Sequence, residues 1–556
     1  MTDHTDSVDY AVVGGGVSGL YTAWRLLADS TERPTVRVFE QSDRLGGKLL
    51  TWNPGGDDAG LRAELGGMRF FEQQELVWRL LDVLDLGDQR IPFFADGYPG
   101  LIWQLRGLRM NAGDFTTADR RYLLKPNEQT PPFSLINSVI QEVLADNDVH
   151  RTPTDRKGWD ELKPRLRYQG RELWKVGFWN LLADKLSTEA YNYMIDSFGY
   201  YTLALNWNAA EAFQNVSLDF TQNPRYETLS KGYDGLPLAL GDKVRELGGE
   251  ESVQLGTTLE RVDADVETGG PGLLLHLTRD GEAQRVRARH VVLAMPRRSL
   301  ELLERSDVFD IRNDRRLRRL IRSVRPYPAF KLFLLYDQRW WDDAGYAGQV
   351  IEHGRSVSDM PIRQTYYMRP DSCESGADCP PYGLIMASYD DAVAVDFWRG
   401  LEPTEEELPA NDRGLVDVML RNFSAFNLQG AEPRSRWQPP PVLHGAPPQM
   451  IDHARAQLAL LHGRLSVPAP VYGAFADWST DPFGGGWLFW EPQHNPKEVM
   501  PAVRTPVPEY SLHVVGEAYS GQQGWVEGAL TTAELVLRDD FKIPQPHWLQ
   551  DIYLGW

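Results

Sequence analysis

The chain has 556 residues, 42% of them hydrophobic and 24% charged, enough for two or three globular domains. Its formal net charge of −20 argues against nucleic acid or an anionic membrane surface as a partner. No apolar run approaches the roughly 18–20 residues that cross a bilayer, and no group of cysteines and histidines has the spacing of a metal site.

The opening "MTDHTDSVDY" is polar and acidic and lacks the basic and apolar regions of a secretory signal, so a cytoplasmic protein is expected. "YAVVG", from Tyr10 to Gly14, predicts a buried strand. "VSGLYTAWRLLA" places Leu20, Ala23, Trp24 and Leu27 on one helical face. "PTVRVFE" is β-branched and alternating, a second strand ending at Glu40. Strand, helix and parallel strand make the basic unit of a doubly wound sheet.

Between that strand and helix lies Gly14-x-Gly16-x-x-Gly19. The first glycine permits the tight turn, the second lets backbone approach a pyrophosphate, and the third lets helix and strand pack closely. The phosphates would lie at a helix N-terminus, where free N–H groups and the dipole favour negative charge. Glu40, ending the second strand, can accept from both hydroxyls of an adenosine ribose and would repel a 2′-phosphate, which argues against NADP.

From about 130 to 222 the chain is aromatic and reads as helical. "ESVQLGTTLERVDADV" and "GLLLHLTRDGEAQRVRARHVVLAMP" are strands again, with Asp280-Gly281 as a hairpin turn. "FKLFLLYDQRWW" and "YGLIMASY" are later strands, and the proline-rich "RWQPPPVLHGAPPQ" reads as loop. Near the end come one more strand, a glycine-containing turn and a helix. The two cysteines, Cys373 and Cys379, are too few for a disulfide framework and are expected as free thiols.

Several separated segments resemble the flavin-containing amine oxidases. "EQSDRLGGK" carries Arg44 and Gly46-Gly47 after Glu40, and "HVVGEAYSGQQGWVEGA" carries Gly516-Glu517 far downstream. The resemblance implies FAD, with Arg44 at the phosphates and Glu517 at the ribityl and pyrophosphate region. It places the Val262 backbone at adenine. It assigns to the cofactor Gly14, Gly16, Ser18, Gly19, Glu40, Arg44, Gly47, Gly67, Met68, Arg69, Val262, Gly516, Glu517, Gly524, Trp525, Val526 and Ala529. Ala529 stands where the family often has threonine. Covalent members attach FAD through a cysteine in this last segment; "YSGQQGW" has none, so noncovalent FAD is expected.

"AELGGMRFF" is similar to the L-amino acid oxidases within that family. A zwitterionic substrate brings a carboxylate into a dry site, where an arginine fork is its natural partner. Arg69 falls on the family's carboxylate-binding arginine. By the same resemblance Lys331 holds a water against the flavin, Tyr389 joins Arg69 on the carboxylate, and Tyr366 and Trp487 line the pocket. Gly524 and Trp525 face the substrate's amino group. Arg69, Tyr389, Lys331 and Trp525 form the expected catalytic set, without a metal. The plain alternatives are a structural ion pair for Arg69, a snorkelling residue for Lys331 and core packing for Trp487.

The implied fold class is α/β: a Rossmann-type FAD-binding domain, an interleaved α+β substrate-binding domain and a helical insertion, an amine oxidase / glucose-methanol-choline-reductase-like two-domain architecture. The expected division is 1–80, 225–325 and 500–540 for FAD, 81–129 and 326–499 for substrate, 130–224 for the helical domain, and 541–556 as a C-terminal tail. The implied reaction is hydride transfer from Cα of a free L-amino acid to flavin N5, giving a 2-oxo acid and ammonia, with molecular oxygen reduced to hydrogen peroxide. A homodimer is expected by resemblance. Three alternatives stay open: an L-amino acid monooxygenase, a monoamine or polyamine oxidase, and a non-catalytic flavin-binding protein.

Overall fold

The computed structural model describes residues 6–54, 60–94, 96–112, 114, 121–219, 225–265, 272–373, 379–402 and 443–556. The β-branched opening forms the strand Asp6–Val13, and the predicted helix and second strand follow as Val17–Asp29 and Val36–Phe39. These three build the centre of a seven-stranded sheet. Its order is Val253–Gln254, Val36–Phe39, Asp6–Val13, Glu282–Leu293, Leu273–Arg279 and Thr257–Ala264, with Leu512–Val514 parallel to the end of Glu282–Leu293. Asp6–Val13 pairs parallel on both sides, so its side chains are covered on both faces and Ala11 and Val12 are fully buried. The helices Val17–Asp29, Gly235–Gly248 and Val526–Asp539 cover it, sharing a core that includes Val12, Leu20, Leu240 and Leu530.

The predicted hairpin is present. Leu273–Arg279 and Glu282–Leu293 pair antiparallel, with both turn residues, Asp280 and Gly281, at positive φ. Thus Glu282–Leu293 serves twice, antiparallel at its start and parallel at its end.

A second, eight-stranded sheet holds the strands Ala329–Tyr336 and Gly383–Asp391 at its centre. The segments Ile102–Leu105 and Leu108–Asn111 join one edge and Leu443–Gly445 the other. The helices Pro132–Ala145, Arg156–Leu162, Phe178–Lys185, Thr188–Phe198 and Ala209–Asp219 form a layer that shares one apolar core with this sheet, through residues such as Leu182, Phe213, Phe333 and Trp478. The buried Asp391 carboxylate ties the two together. It accepts from the Tyr201 and Thr202 amides at 2.8 and 2.9 Å and from the Thr202 hydroxyl at 2.6 Å.

Two expectations change. Cys373 and Cys379 are joined in a disulfide rather than free, because the chain turns between Gln364–Met368 and Gly383–Asp391 and brings the two Cα atoms to 4.4 Å. The proline-rich stretch lies partly outside the described residues; where it is described, Leu443–Gly445 is a strand and Pro448–Leu461 a helix with proline in its first turn. Among the described residues no helix is long and apolar enough to cross a membrane.

Candidate active site

The glycine turn separates two kinds of requirement. Gly14 has φ +113°, and a Cβ there would lie 2.3 Å from the Ala294 carbonyl oxygen; a Cβ at Gly19 would lie 2.0 Å from that of Gly14. Both are demanded by the chain's own packing. Gly16 is different. Its φ is −81°, open to any residue, and a Cβ would meet nothing closer than the Gly47 Cα at 3.8 Å. The space in front of Gly16 is therefore kept clear by the sequence although the protein does not fill it. Gly16 is also the N-cap of Val17–Asp29. No side chain caps that helix and no acidic residue stands in its first turn, so its end is left for an anion.

The residues around that space converge as expected. Gly46 donates to the Gly15 carbonyl at 2.9 Å, which lays Gly46 and Gly47 against the turn. Arg44 donates to the Leu45 and Gly47 carbonyls, while its buried Nε has no hydrogen-bond partner. The Glu40 carboxylate accepts from the Gly15 amide at 2.6 Å and from the Ser42 amide and hydroxyl at 2.8 and 2.7 Å. It thus shapes the turn and retains acceptor capacity for hydroxyls. Ser18 faces Gly516, whose φ of +139° admits little but glycine.

Lys48 and Glu517 make the joint between this turn and the next part of the site. Lys48 donates to the Gly486 carbonyl at 2.9 Å and to Glu517 at 3.1 Å. Glu517 also accepts from the Leu488 and Gly524 amides at 3.3 and 2.8 Å. The Lys48 carbonyl accepts from Gly67 at 3.0 Å and leaves no room for a side chain at Gly66, where a Cβ would come within 1.9 Å. A path of packed backbone thus leads from Gly16 past Gly47 and Lys48 to Gly66 and Gly67, where a Cβ at Gly67 would lie 2.6 Å from the Leu49 Cδ2.

It ends at a cavity of about 120 Å³. Gly67, Met68, Arg69, Tyr389, Trp487, Gly524, Trp525 and Val526 all line it, residues up to 459 positions apart (526 − 67). Arg69 is buried, with its guanidinium 4.0 Å above the Tyr226 ring and 5.4 Å from Phe93. No carboxylate among the described residues lies within ion-pair distance of it, and its Nη1 has no hydrogen-bond partner. A structural ion pair for Arg69 is therefore absent among those residues. Such a buried, unpaired cation is costly unless an anion joins it. Tyr389 stands directly opposite Lys331 across the two central strands, which sets the register of Ser388 and Tyr389.

Lys331 is buried and donates to the Glu64 and Gly66 carbonyls at 2.8 and 2.6 Å, with its Nζ 4.6 Å from the Tyr389 ring centre. Burial pushes its ammonium down to about 7, with Glu64 opposing and Arg69 reinforcing the shift. It does not snorkel. Trp487 faces the cavity and stacks edge-on to Tyr200 and Tyr389. Tyr366 lies just outside the lining, near Arg69, and donates to Gln364 at 3.3 Å. Trp525 lines the cavity with its ring, while its indole N–H is taken by Asp219 at 3.0 Å. Ala529 sits in the first turns of Val526–Asp539, its carbonyl accepting from Thr532.

Gly256 and Thr257 tie the start of the strand Thr257–Ala264 to the Glu40 loop, donating to the Ser42 and Glu40 carbonyls at 2.9 and 2.8 Å, and Val262 lies five residues further along that strand, buried. Sequence reasoning missed Lys48, Glu64, Tyr200, Tyr226, Asn215 and Asp219. Tyr200, Asn215 and Asp219 lie in the 130–222 segment, where no motif marks them; a buried-charge pattern in the helix Ala209–Asp219 was the one available signal.

The clear space at Gly16, the unpartnered Arg44 Nε and the uncapped helix fit a pyrophosphate. Fold and site together define a dinucleotide-binding protein with an arginine at the wall of a neighbouring cavity. Residues 17–410 match the model of the flavin containing amine oxidoreductase family, and the chain belongs to that family. A flavin cofactor follows from membership. The chain is similar to Aplysianin-A of Aplysia kurodai, at 25% identity over 97% of this chain and 91% of that protein. It is also similar to a protein named L-glutamate oxidase precursor from Streptomyces viridosporus, at 24% identity over 94% and 84%. A solved double mutant of putrescine oxidase shares the fold, with a TM-score of 0.63 at 16% identity over 97% of this chain and all of that one.

Proposed function

We propose that the protein is an FAD-dependent L-amino acid oxidase, with FAD held noncovalently. The observation that carries this reading is Arg69, a buried guanidinium without an anionic partner at the cavity wall. A simple amine brings no carboxylate and would leave that charge uncompensated; an amino acid supplies the missing anion. The relative named as an L-glutamate oxidase supports an amino acid substrate.

FAD, when bound, supplies the two-electron acceptor, and its reoxidation by oxygen yields hydrogen peroxide. The chain's own residues position and exclude. Arg69 takes the carboxylate in a two-pronged grip, and the Tyr389 hydroxyl completes it. Gly524, at φ +84°, turns its backbone at the cavity, where its carbonyl can accept from the amino group. Tyr200, Trp487, Phe489 and Trp525 wall off water. Apart from tyrosines, Arg69 is the only ionisable residue in the described lining, so the amine reacts as the free base instead of passing its proton to a lining side chain. Lys331 can hold and release a proton near neutrality beside that wall. The imine is hydrolysed to a 2-oxo acid and ammonia.

An oxygen-consumption and peroxide screen across L-amino acids, D-enantiomers and the corresponding decarboxylated amines tests this. Turnover of L-amino acids with 2-oxo acid as product is expected. Faster turnover of the amines would assign an amine oxidase instead, and a shortened amide as product would assign a monooxygenase.

A further inference from the structure

The loop that brings Gln523, Gly524 and Trp525 to the cavity wall is held from outside at three successive residues. The Ser520 carbonyl accepts from the Trp490 indole at 2.9 Å, and the Gly521 carbonyl accepts from the Gln214 side-chain amide at 3.1 Å. The Gln522 side-chain oxygen accepts from Arg156 Nη1 at 2.9 Å. Arg156 opens the helix Arg156–Leu162 and Gln214 lies in Ala209–Asp219, so the helical layer itself holds this loop.

Arg156 is set in place by charge and by bare backbone. Behind it lie Asp160, Lys163 and Glu211, all buried. Lys163 pairs with Asp160 at 3.0 Å and with Glu211 at 2.9 Å, and Arg156 stands 3.9 Å from the other Asp160 oxygen. Two cations and two carboxylates thus balance, as buried charges require. Residues 553–556 cover the group. The Tyr553 hydroxyl donates to Asp160 at 3.0 Å, and the Trp556 ring lies 4.8 Å from the Lys163 Nζ. A Cβ at Gly521 or at Gly555 would lie 2.6 Å from Arg156 Nη2, so glycine at both positions leaves the space that the guanidinium occupies.

We propose that Arg156 is a positioning residue for the reaction: through Gln522 it fixes the loop 520–525 and so sets Gly524 and Trp525 at the amino end of the substrate. The carboxylate end is held separately, by Arg69 and by Tyr389 on the strand Gly383–Asp391. Losing the Arg156 contact therefore leaves carboxylate binding intact and misplaces the amine, which slows the reaction at Cα. The charge of Arg156 also reaches Asp219, whose carboxylate accepts from the Trp525 indole at 3.0 Å. This inference rests on the amino acid oxidase reading above.

The test uses the flavin-loaded enzyme and the L-amino acid that it turns over fastest. Gln522→Leu removes the acceptor and leaves all four buried charges in place. Its kcat should fall roughly 10- to 100-fold, the upper figure being what a misplacement of about 1 Å can cost. Its melting temperature should stay at the wild-type value. Hexanoate, a carboxylate without an amine, should perturb the flavin spectrum over the same concentration range in both proteins. Arg156→Met unbalances the buried charges and should lower the melting temperature, yet in the Gln522→Leu background it should cost no further kcat. Where Arg156→Met does not fold, Gln522→Leu decides alone. Wild-type kcat in Gln522→Leu overturns the proposal and leaves the oxidase reading standing. A fall in kcat matched by weaker hexanoate binding and a lower melting temperature overturns it in favour of a general structural role, as does a further loss of kcat in the double variant. Failure of every amino acid to reduce the flavin anaerobically overturns the oxidase reading and this proposal with it.

Discussion

Arg69 and Lys331 are neighbours in space and opposite in what burial does for them. Arg69 stays charged in any protein environment, so its burial without a partner stores a demand for an anion. Arg69→Ala should raise KM for L-amino acids by two orders of magnitude or more, a loss of ~3–5 kcal/mol for leaving a buried carboxylate unpaired. Its effect on an uncharged amine should be slight; comparable losses on both, in steady-state assays, would make Arg69 structural. Lys331 can lose its proton. With its value near 7, it is an ammonium below neutrality and an amine above it. The pH profile of turnover should therefore carry an inflection near 7 that Lys331→Met removes, while anaerobic flavin reduction by substrate survives. An unchanged profile in Lys331→Met would take Lys331 out of proton handling.

At the scale of the element, the strand–turn–helix from Asp6 to Asp29 was legible because it is local. β-Branched residues, three glycines and a helical apolar stripe each dictate backbone over a few positions. What the pattern could not distinguish is which glycine serves the fold and which serves a ligand. That distinction yields a prediction. Gly14→Ala forces a side chain against the Ala294 carbonyl at positive φ and should abolish soluble, folded protein. Gly16→Ala meets no such obstacle, so it should fold with near-native far-UV circular dichroism yet purify with at least tenfold less flavin. Full flavin content in folded Gly16→Ala would show that the space before Gly16 is not the cofactor's.

Across the whole molecule, buried polar contacts close the chain on itself. Arg25 in the first helix forms an ion pair with Glu534 in the last, both side chains fully buried, and Tyr21 donates to the same carboxylate at 2.9 Å. Glu527 accepts from the Leu76 and Val77 amides at 2.9 and 2.8 Å, capping the helix Glu75–Val83 with a side chain from 450 residues away (527 − 77). These contacts make the C-terminal helix, and with it Gly524 and Trp525, part of the N-terminal fold. Glu534→Ala should cost ~3 kcal/mol, the low end for a broken buried pair because Asp29 remains 2.5 Å from Arg25. Thermal unfolding and flavin release should shift down together; an unchanged melting temperature would show that the pair contributes nothing net.

The sequence alone determined the doubly wound start, the Asp280-Gly281 hairpin, the dinucleotide turn and the candidacy of Arg69, since each is written in neighbouring residues or in a motif. Only the tertiary structure decided the rest. It joined Cys373 to Cys379 and left Arg69 buried at the cavity wall without an anionic partner among the described residues. The reason is physical. Local backbone preference acts over a few residues, whereas burial and charge pairing depend on what packs together across hundreds, and a buried charge acquires its meaning only from the partner that the fold supplies or withholds.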